Sequence, residues 1–306
     1  MKAYYFPAHL YLKNFRKKNH NPGPYLGEAF EVPRKGEKGV RVRLYRPVQS
    51  PEKKSGGLLP VLFNVHGGAW MHGDAEGLDL QSQYLANHLK CFVVNVDYKL
   101  IDEKPFPYQQ TEIADVVEYF IEHAGEYGVD PERSSLFGYS AGGHIAAGAA
   151  MLARDRGVKL CSQVLCYPFL NFIGFDFAAY GGVKGVKAKI FNRFSNSVLF
   201  EKMKKDEPLM SPANADPEEL KDLARAVIVS CGKNDPLLPQ AEQYSRKLEE
   251  AGVKNVYREY KTAEHGFLER NFKDDPAVFA KEGEQDALMR EAVEFIRSNN
   301  VFEFVE

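Results

Sequence analysis

Cysteine is scarce: the 306 residues include four, Cys91, Cys161, Cys166 and Cys231. Four scattered thiols do not make a disulfide framework, and without a Cys-x-x-Cys pair a structural zinc site is not expected. Three of them lie in apolar runs, so the expected state is a buried free thiol serving as a small hydrophobe. Charge of one sign is also missing, because 40 basic and 42 acidic residues leave a formal net charge of -2. No global field is available to grip nucleic acid or an anionic membrane, and neither is expected as a partner. No stretch reaches the apolar length needed to span a bilayer. Met1 to His20 mixes aromatics with Lys13, Arg16, Lys17 and Lys18. It lacks the continuous apolar run and small-residue cleavage site of a secretory leader, so a cytoplasmic location is expected. The segment reads as a helix packed on the protein in preference to one lying on a membrane surface. There is no internal repeat, no low-complexity tract, no GxxxxGK[ST], no HExxH and no post-strand GxGxxG, so phosphate-loop, zincin and dinucleotide chemistry are not indicated.

What is present is an ordinary globular balance, 44% apolar and 27% charged, in a chain long enough to fold around a core without staples or a metal. Length alone allows two domains of roughly 150 residues or one large α/β unit. Strands are expected at Val40 to Tyr45, Val61 to Val65, Phe92 to Val96, a run ending at Gly138, Leu160 to Cys166, Ala226 to Ser230 and Val256 to Tyr260. Helical spacing appears at Ile113 to Ile121, Ala141 to Arg154, Ala241 to Ala251 and Ala287 to Ile296. Gln49 to Pro60 and Asp130-Pro131 read as turns. Alternating strands and helices, with nearly continuous apolar strands, indicate a mostly parallel sheet covered on both faces. Ligands in such sheets bind beyond the carboxyl ends of the strands. From Phe169 to about Leu223 the rhythm breaks into an aromatic, Gly-rich and basic segment. It includes Tyr180-Gly181-Gly182, Lys184, Lys187, Lys189 and Arg193. It is too long for an ordinary connection and is read as a cap over a site.

Gly138-Tyr139-Ser140-Ala141-Gly142 is G-x-S-x-G between a predicted strand and a predicted helix. The chemistry needs a serine on a sharp turn with its Oγ exposed, and the flanking glycines relieve the crowding. A serine also needs a base, and the base needs an orienting acid. Downstream of Ser140 the sequence has two histidines, His144 four residues on in the same predicted helix and His265, in Glu264-His265-Gly266-Phe267, which is the one left to act as base. Asp235 stands directly beyond the strand Ala226 to Ser230 and is the preferred acid. Asp176, Asp206, Asp216 and Asp222 read as solvated or capping residues. His66-Gly67-Gly68-Ala69-Trp70 follows another strand and matches an oxyanion loop. The amides of Gly67, Gly68 and Ala141 are expected to form the hole, each donor contributing about 3 kcal/mol in the transition state. His66 is expected to brace the loop, Trp70 to anchor it and His144 to be a satisfied core histidine. His72 with Asp74 lacks a third ligand of sensible spacing, so no metal is expected.

These motifs together resemble the hormone-sensitive-lipase-like branch of α/β-hydrolases, from about Val61 to Glu269. The resemblance rests on His66-Gly67-Gly68, on Asp97-Tyr98-Lys99-Leu100 with Pro105-Phe106-Pro107 and Asp115, on Ser140-Ala141-Gly142-Gly143, on Asp235-Pro236-Leu237 and on His265-Gly266-Phe267. It implies an α/β-hydrolase fold with a sheet of about eight strands, a cap and no cofactor. Residues 1–306 then form one domain, with the cap built from about 1–35 and 169–223. Two departures stand out: Tyr139 replaces the usual Asp before the serine, and Ala69 the third oxyanion-loop glycine. Tyr139 with His144 also resembles a neighbouring branch of acetylxylan and feruloyl esterase-like proteins. The expected function is a serine carboxylesterase for short-chain acyl esters, acetyl favoured, with room for a homodimer. The same triad would serve an amidase, formamidase or peptidase. A non-catalytic receptor on this fold would be expected to lack the histidine present here at 265. A true lipase would need a longer apolar lid stripe than Phe172, Phe175, Phe177 and Phe191 provide.

Overall fold

The computed structural model describes residues 23–48, 57–180, 203–232, 234–269 and 283–304, with positions 13, 14, 16, 17, 184, 185, 189, 192, 193, 195 and 196. Most of Met1 to His20, most of the Gln49 to Pro60 turn, Gly181-Gly182, Lys187 and Phe191 lie outside the described residues.

Eight strands form one sheet: β1 (Glu28–Val32), β2 (Val40–Tyr45), β3 (Leu59–Val65), β4 (Phe92–Val96), β5 (Val129–Tyr139), β6 (Ser162–Cys166), β7 (Arg225–Cys231) and β8 (Asn255–Tyr260). Their order is β1-β2-β4-β3-β5-β6-β7-β8. The β1/β2 and β2/β4 pairs are antiparallel, and β4, β3, β5, β6, β7 and β8 run parallel. This is the mostly parallel sheet expected from the sequence. The principal helices are α1 (Asp79–Leu89), α2 (Tyr108–Glu122), α3 (Ala141–Asp155), the single turn α4 (Phe177–Tyr180), α5 (Leu238–Glu250) and α6 (Glu284–Ser298).

Alternation along β3 shows why the sheet is covered twice. Val61, Phe63 and Val65 pack in one core cluster with Ile113, Phe120, Ile145 and Tyr244 from α2, α3 and α5. Leu62 faces the opposite cluster, with Leu85 of α1 and Met289 and Val293 of α6. Successive strand side chains point to opposite faces, so a strand buried on both reads as a continuous apolar run. Each fully buried side chain of this size contributes roughly 1.5–3 kcal/mol of transfer free energy.

One local expectation changes, and two elements were not expected. Asp130 and Pro131 lie inside β5, where the register slips between Leu59↔Val129 and Val61↔Ser134. The bulge accommodates a proline that a regular central strand would exclude. β1 is a largely exposed edge strand, so its Glu-Ala-Phe-Glu-Val carries no apolar run. In α1, Gln81 and Ser82 are buried beside Tyr84 and Leu85, which blurs the helical stripe.

Candidate active site

Four strand ends converge. β5 ends on Tyr139, and Ser140 makes the turn into α3 with φ 52° and ψ −116°. That left-handed strain is tolerated because the surroundings over-determine it. The Ser140 N–H donates to the Cys166 carbonyl at 2.9 Å, tying the turn to the end of β6. Gly142 stands where a Cβ would meet the Val65 carbonyl oxygen at 2.2 Å. A side chain there would force α3 away from the β3 loop.

The two partners expected for Ser140 arrive from β7 and β8. His265 Nε2 lies 2.9 Å from Ser140 Oγ, and His265 Nδ1 lies 2.8 Å from Asp235 Oδ2. Asp235 is buried, and its other oxygen accepts from the Leu237 N–H at 3.0 Å. With Nδ1 donating to the carboxylate, Nε2 is left as the acceptor for the serine hydroxyl. The structure thus brings together Ser140, Asp235 and His265, which are 95 and 30 residues apart in the chain. Asp176 and Asp216 instead accept backbone N–H groups at Ala179 and Glu218, as capping residues do.

The loop after β3 forms the facing wall. His66 Nδ1 meets the Gly67 carbonyl at 2.8 Å, and its ring stacks on Tyr98 at 4.3 Å. Burial lowers the His66 pKa, so the ring braces the loop as a neutral donor. Trp70 is 3% exposed. Its Nε1 donates to His144 Nδ1 at 3.2 Å, and its ring packs against Phe106, Phe169 and Phe172. His144 Nε2 donates to the Leu209 carbonyl at 3.0 Å. Burial pulls the His144 pKa down to about 4, against the carbonyl's opposing pull. His144 is therefore a satisfied neutral core histidine and Trp70 an anchor, though Trp70 also lines the cavity.

Gly67 departs from expectation. Its N–H donates to Glu269 Oε1 at 2.9 Å, so it is engaged by a carboxylate and does not face a substrate oxygen. A Cβ on Gly67 would stand 2.5 Å from that oxygen, which explains the glycine. Among the described residues, the amides of Gly68, Ala69 and Ala141 have no hydrogen-bond partner and border the cavity. Ala69 takes φ 50°, the left-handed conformation that a glycine would adopt without strain.

Two residues beside the nucleophile went unassigned in the sequence. Glu269, one turn beyond His265, joins the His265 loop to the β3 loop through Gly67, and Tyr167 Oη donates to its Oε2 at 3.4 Å. Burial pushes the Glu269 carboxyl above its ordinary range, while the Gly67 amide and His265 oppose that shift. Tyr180 of α4 places its hydroxyl 3.3 Å from His265 Nε2. The signal for Glu269 was its spacing of four from His265. For Tyr180 there was only its place in the aromatic segment.

Among the described residues, Cys231, Asp235 and His265 offer ligand atoms within 4.8 Å of one another. Asp235 and His265 are already paired, and burial pushes the Cys231 thiol well up. A protonated thiol is a poor ligand, so this arrangement fits a packed thiol beneath the acid better than a metal site. All four cysteines are buried and free.

Above Ser140 lies a cavity of about 490 Å³. Its walls are mainly apolar, with Trp70, Met71, Ile101, Phe169, Phe175 and Phe177 prominent. Residues 169–180 supply one wall, and Arg16 bonds the Met71 carbonyl at 2.8 Å near the rim. Lys184, Lys189 and Arg193 are exposed.

A serine on a strand-to-helix turn, with an acid and a histidine following from later strands of a mostly parallel sheet, defines an α/β-hydrolase-type site. The chain belongs to the α/β-hydrolase fold family, which matches it over residues 62–269. Within that family it is a hormone-sensitive-lipase-like carboxylic ester hydrolase. It is 33% identical to an arylesterase of Saccharolobus solfataricus over 79% of this chain and 74% of that protein. It is 40% identical to the arylacetamide deacetylase of Oryctolagus cuniculus over 46% of this chain, spanning 36% of that protein's length. Among solved structures it resembles a hyperthermophilic esterase of the archaeon Pyrobaculum calidifontis with a TM-score of 0.71 and 28% identity, over 95% of this chain and 89% of that one. No helix among the described residues is long and apolar enough to cross a membrane.

Proposed function

We propose that the chain is a serine carboxylesterase that hydrolyses short-chain acyl esters, acetyl esters foremost, through an acyl-enzyme on Ser140. The observation that supports this best is the continuous Asp235–His265–Ser140 hydrogen-bond chain at the floor of an apolar cavity. Ser140 Oγ attacks the ester carbonyl while His265 Nε2 takes its proton, and Asp235 stabilises the imidazolium that forms. The amides of Gly68, Ala69 and Ala141 receive the oxyanion, with Gly67 acting through Glu269 to fix their loop. His265 returns the proton to the departing alcohol. Water then attacks the acyl-enzyme, with the same histidine as base.

The walls bear on the alcohol. A sugar acetate would press its hydroxyls against Phe169, Phe175 and Phe177, at about 1–3 kcal/mol for each hydroxyl left unpaired. An aromatic or alkyl alcohol suits these walls, in keeping with the name of the arylesterase relative. Of the expected cap segment 1–35, Glu28–Val32 instead forms β1 of the sheet; we extend the proposal to a cap from 169–223 together with residues ahead of β1, and to a cytoplasmic location. A second reading, amide hydrolysis, is favoured by the likeness to an arylacetamide deacetylase.

Comparing kcat/KM for phenyl acetate, phenyl octanoate, acetylated xylose and acetanilide tests the assignment. Phenyl acetate is expected to lead. A lead by acetylated xylose would overturn the alcohol assignment, a lead by octanoate the acyl assignment, and a lead by acetanilide would establish the amide reading.

A further inference from the structure

The acyl-transfer steps above leave Tyr180 without a part, although it touches the reacting nitrogen. Its ring packs on Phe175 at 5.6 Å and stands edge-on to His265 at 6.2 Å. Its hydroxyl lies 3.3 Å from His265 Nε2, the nitrogen that also faces Ser140 Oγ at 2.9 Å. In the resting state Nε2 has one lone pair, and the serine O–H already uses it. The phenol is therefore a second donor at an occupied nitrogen, and its hydroxyl is also within hydrogen-bond reach of Ser140.

Acylation changes that count. Once the serine proton has moved to Nε2, the nitrogen becomes a donor and no longer accepts from either hydroxyl. The alkoxy oxygen of the ester must then approach Nε2 to be protonated. A point within hydrogen-bond reach of Nε2 on the open side of Ser140 is also within reach of the Tyr180 hydroxyl.

We propose that Tyr180 is a catalytic hydrogen-bond donor to the departing alkoxy oxygen, an inference that rests on the carboxylesterase reading. In the step it assists, the bond between carbonyl carbon and alkoxy oxygen breaks and its electron pair goes to the oxygen. The proton comes from His265 Nε2, and Tyr180 keeps its own while donating a hydrogen bond. Burial, reinforced by the charge of Asp235, pushes the phenol up to about 12. Tyr180 is therefore a neutral donor at neutral pH. Negative charge on Asp235 and Glu269 likewise opposes a phenolate. The assistance matters for alcohols that leave as strongly basic alkoxides. It matters little for an acidic phenol, whose anion is stable without help.

The test is Tyr180→Phe, which retains the ring packing on Phe175, assayed by kcat/KM on ethyl acetate and p-nitrophenyl acetate. This ratio reports acylation, and the two esters share one acyl group. The expected result is a loss of about tenfold on ethyl acetate, the worth of one such hydrogen bond, and of less than about twofold on p-nitrophenyl acetate. Equal losses on both esters, or no loss on ethyl acetate, would overturn the proposal while leaving the carboxylesterase reading intact. A wild-type protein that turns over neither ester and resists a fluorophosphonate would overturn both.

Discussion

Replacing Glu269 by leucine takes one acceptor away from donors on two separate loops. The Gly67 N–H lies 2.9 Å from Oε1 and the Tyr167 hydroxyl 3.4 Å from Oε2. A hydrogen bond to a charged group contributes about 1.5–3 kcal/mol, and an amide left unpaired in a dry wall costs a similar amount. The consequence falls on the neighbours of Gly67. Gly68 and Ala69 follow it at φ 106° and 50°; the Gly68 carbonyl is held by the Met71 and His72 N–H groups and the Gly67 carbonyl by His66, while the Glu269 bond is the one that fixes the Gly67 amide. Losing the aim of one oxyanion donor is worth about 3 kcal/mol, and a displacement of about 1 Å can cost about 100-fold in rate. Glu269→Leu is therefore expected to lower kcat/KM for p-nitrophenyl acetate by about 10- to 100-fold, mostly in kcat. Glu269→Gln retains an acceptor oxygen for Gly67 and should lose about threefold or less by the same reckoning. Urea midpoints measured in parallel separate loop aiming from loss of fold. A leucine variant with wild-type kcat/KM would refute the reasoning, as would a glutamine variant as slow as the leucine variant.

Asp235→Asn should leave the fold intact but favour the wrong histidine tautomer, with kcat falling by about 10⁴ in a steady-state assay. His144 makes stability depend on pH. Its pKa is ordinarily 6.5 and falls to about 4 in the fold, so the unfolded chain binds a proton that the folded chain refuses between those values. Stability present above pH 6.5 is lost as the pH falls toward 4, by about 3 kcal/mol in total. Denaturant midpoints at pH 7 and 4.5 should differ more for the wild type than for His144→Asn.

The hydrogen-bonded trio Ser140, His265 and Asp235 was legible because each member carries a local mark. Ser140 has flanking glycines between a strand and a helix, Asp235 stands just past a strand, and His265 is the one histidine downstream of the helix that follows Ser140. The parallel sheet was legible because its inner strands are apolar on both faces. β1 and α1 were not, because an exposed edge needs no apolar run and a buried Gln81 breaks the helical stripe. Gly67 was read as a hole donor because its loop motif is local, whereas its actual acceptor lies 202 residues away. No short pattern carries a pairing of that span. Tyr180 shows the same limit: its meaning lies in its distance to His265, which depends on how residues 169–180 fold back over β5.

The central claim is a covalent acyl-enzyme on Ser140, and rapid acid quenching during turnover of p-nitrophenyl acetate, followed by peptide mass analysis, tests it most directly. The account predicts one acetyl group on the peptide carrying Ser140, and neither acetyl group nor turnover in Ser140→Ala. An unmodified Ser140 in a protein turning over the ester, or a Ser140→Ala variant with the wild-type rate, would contradict it.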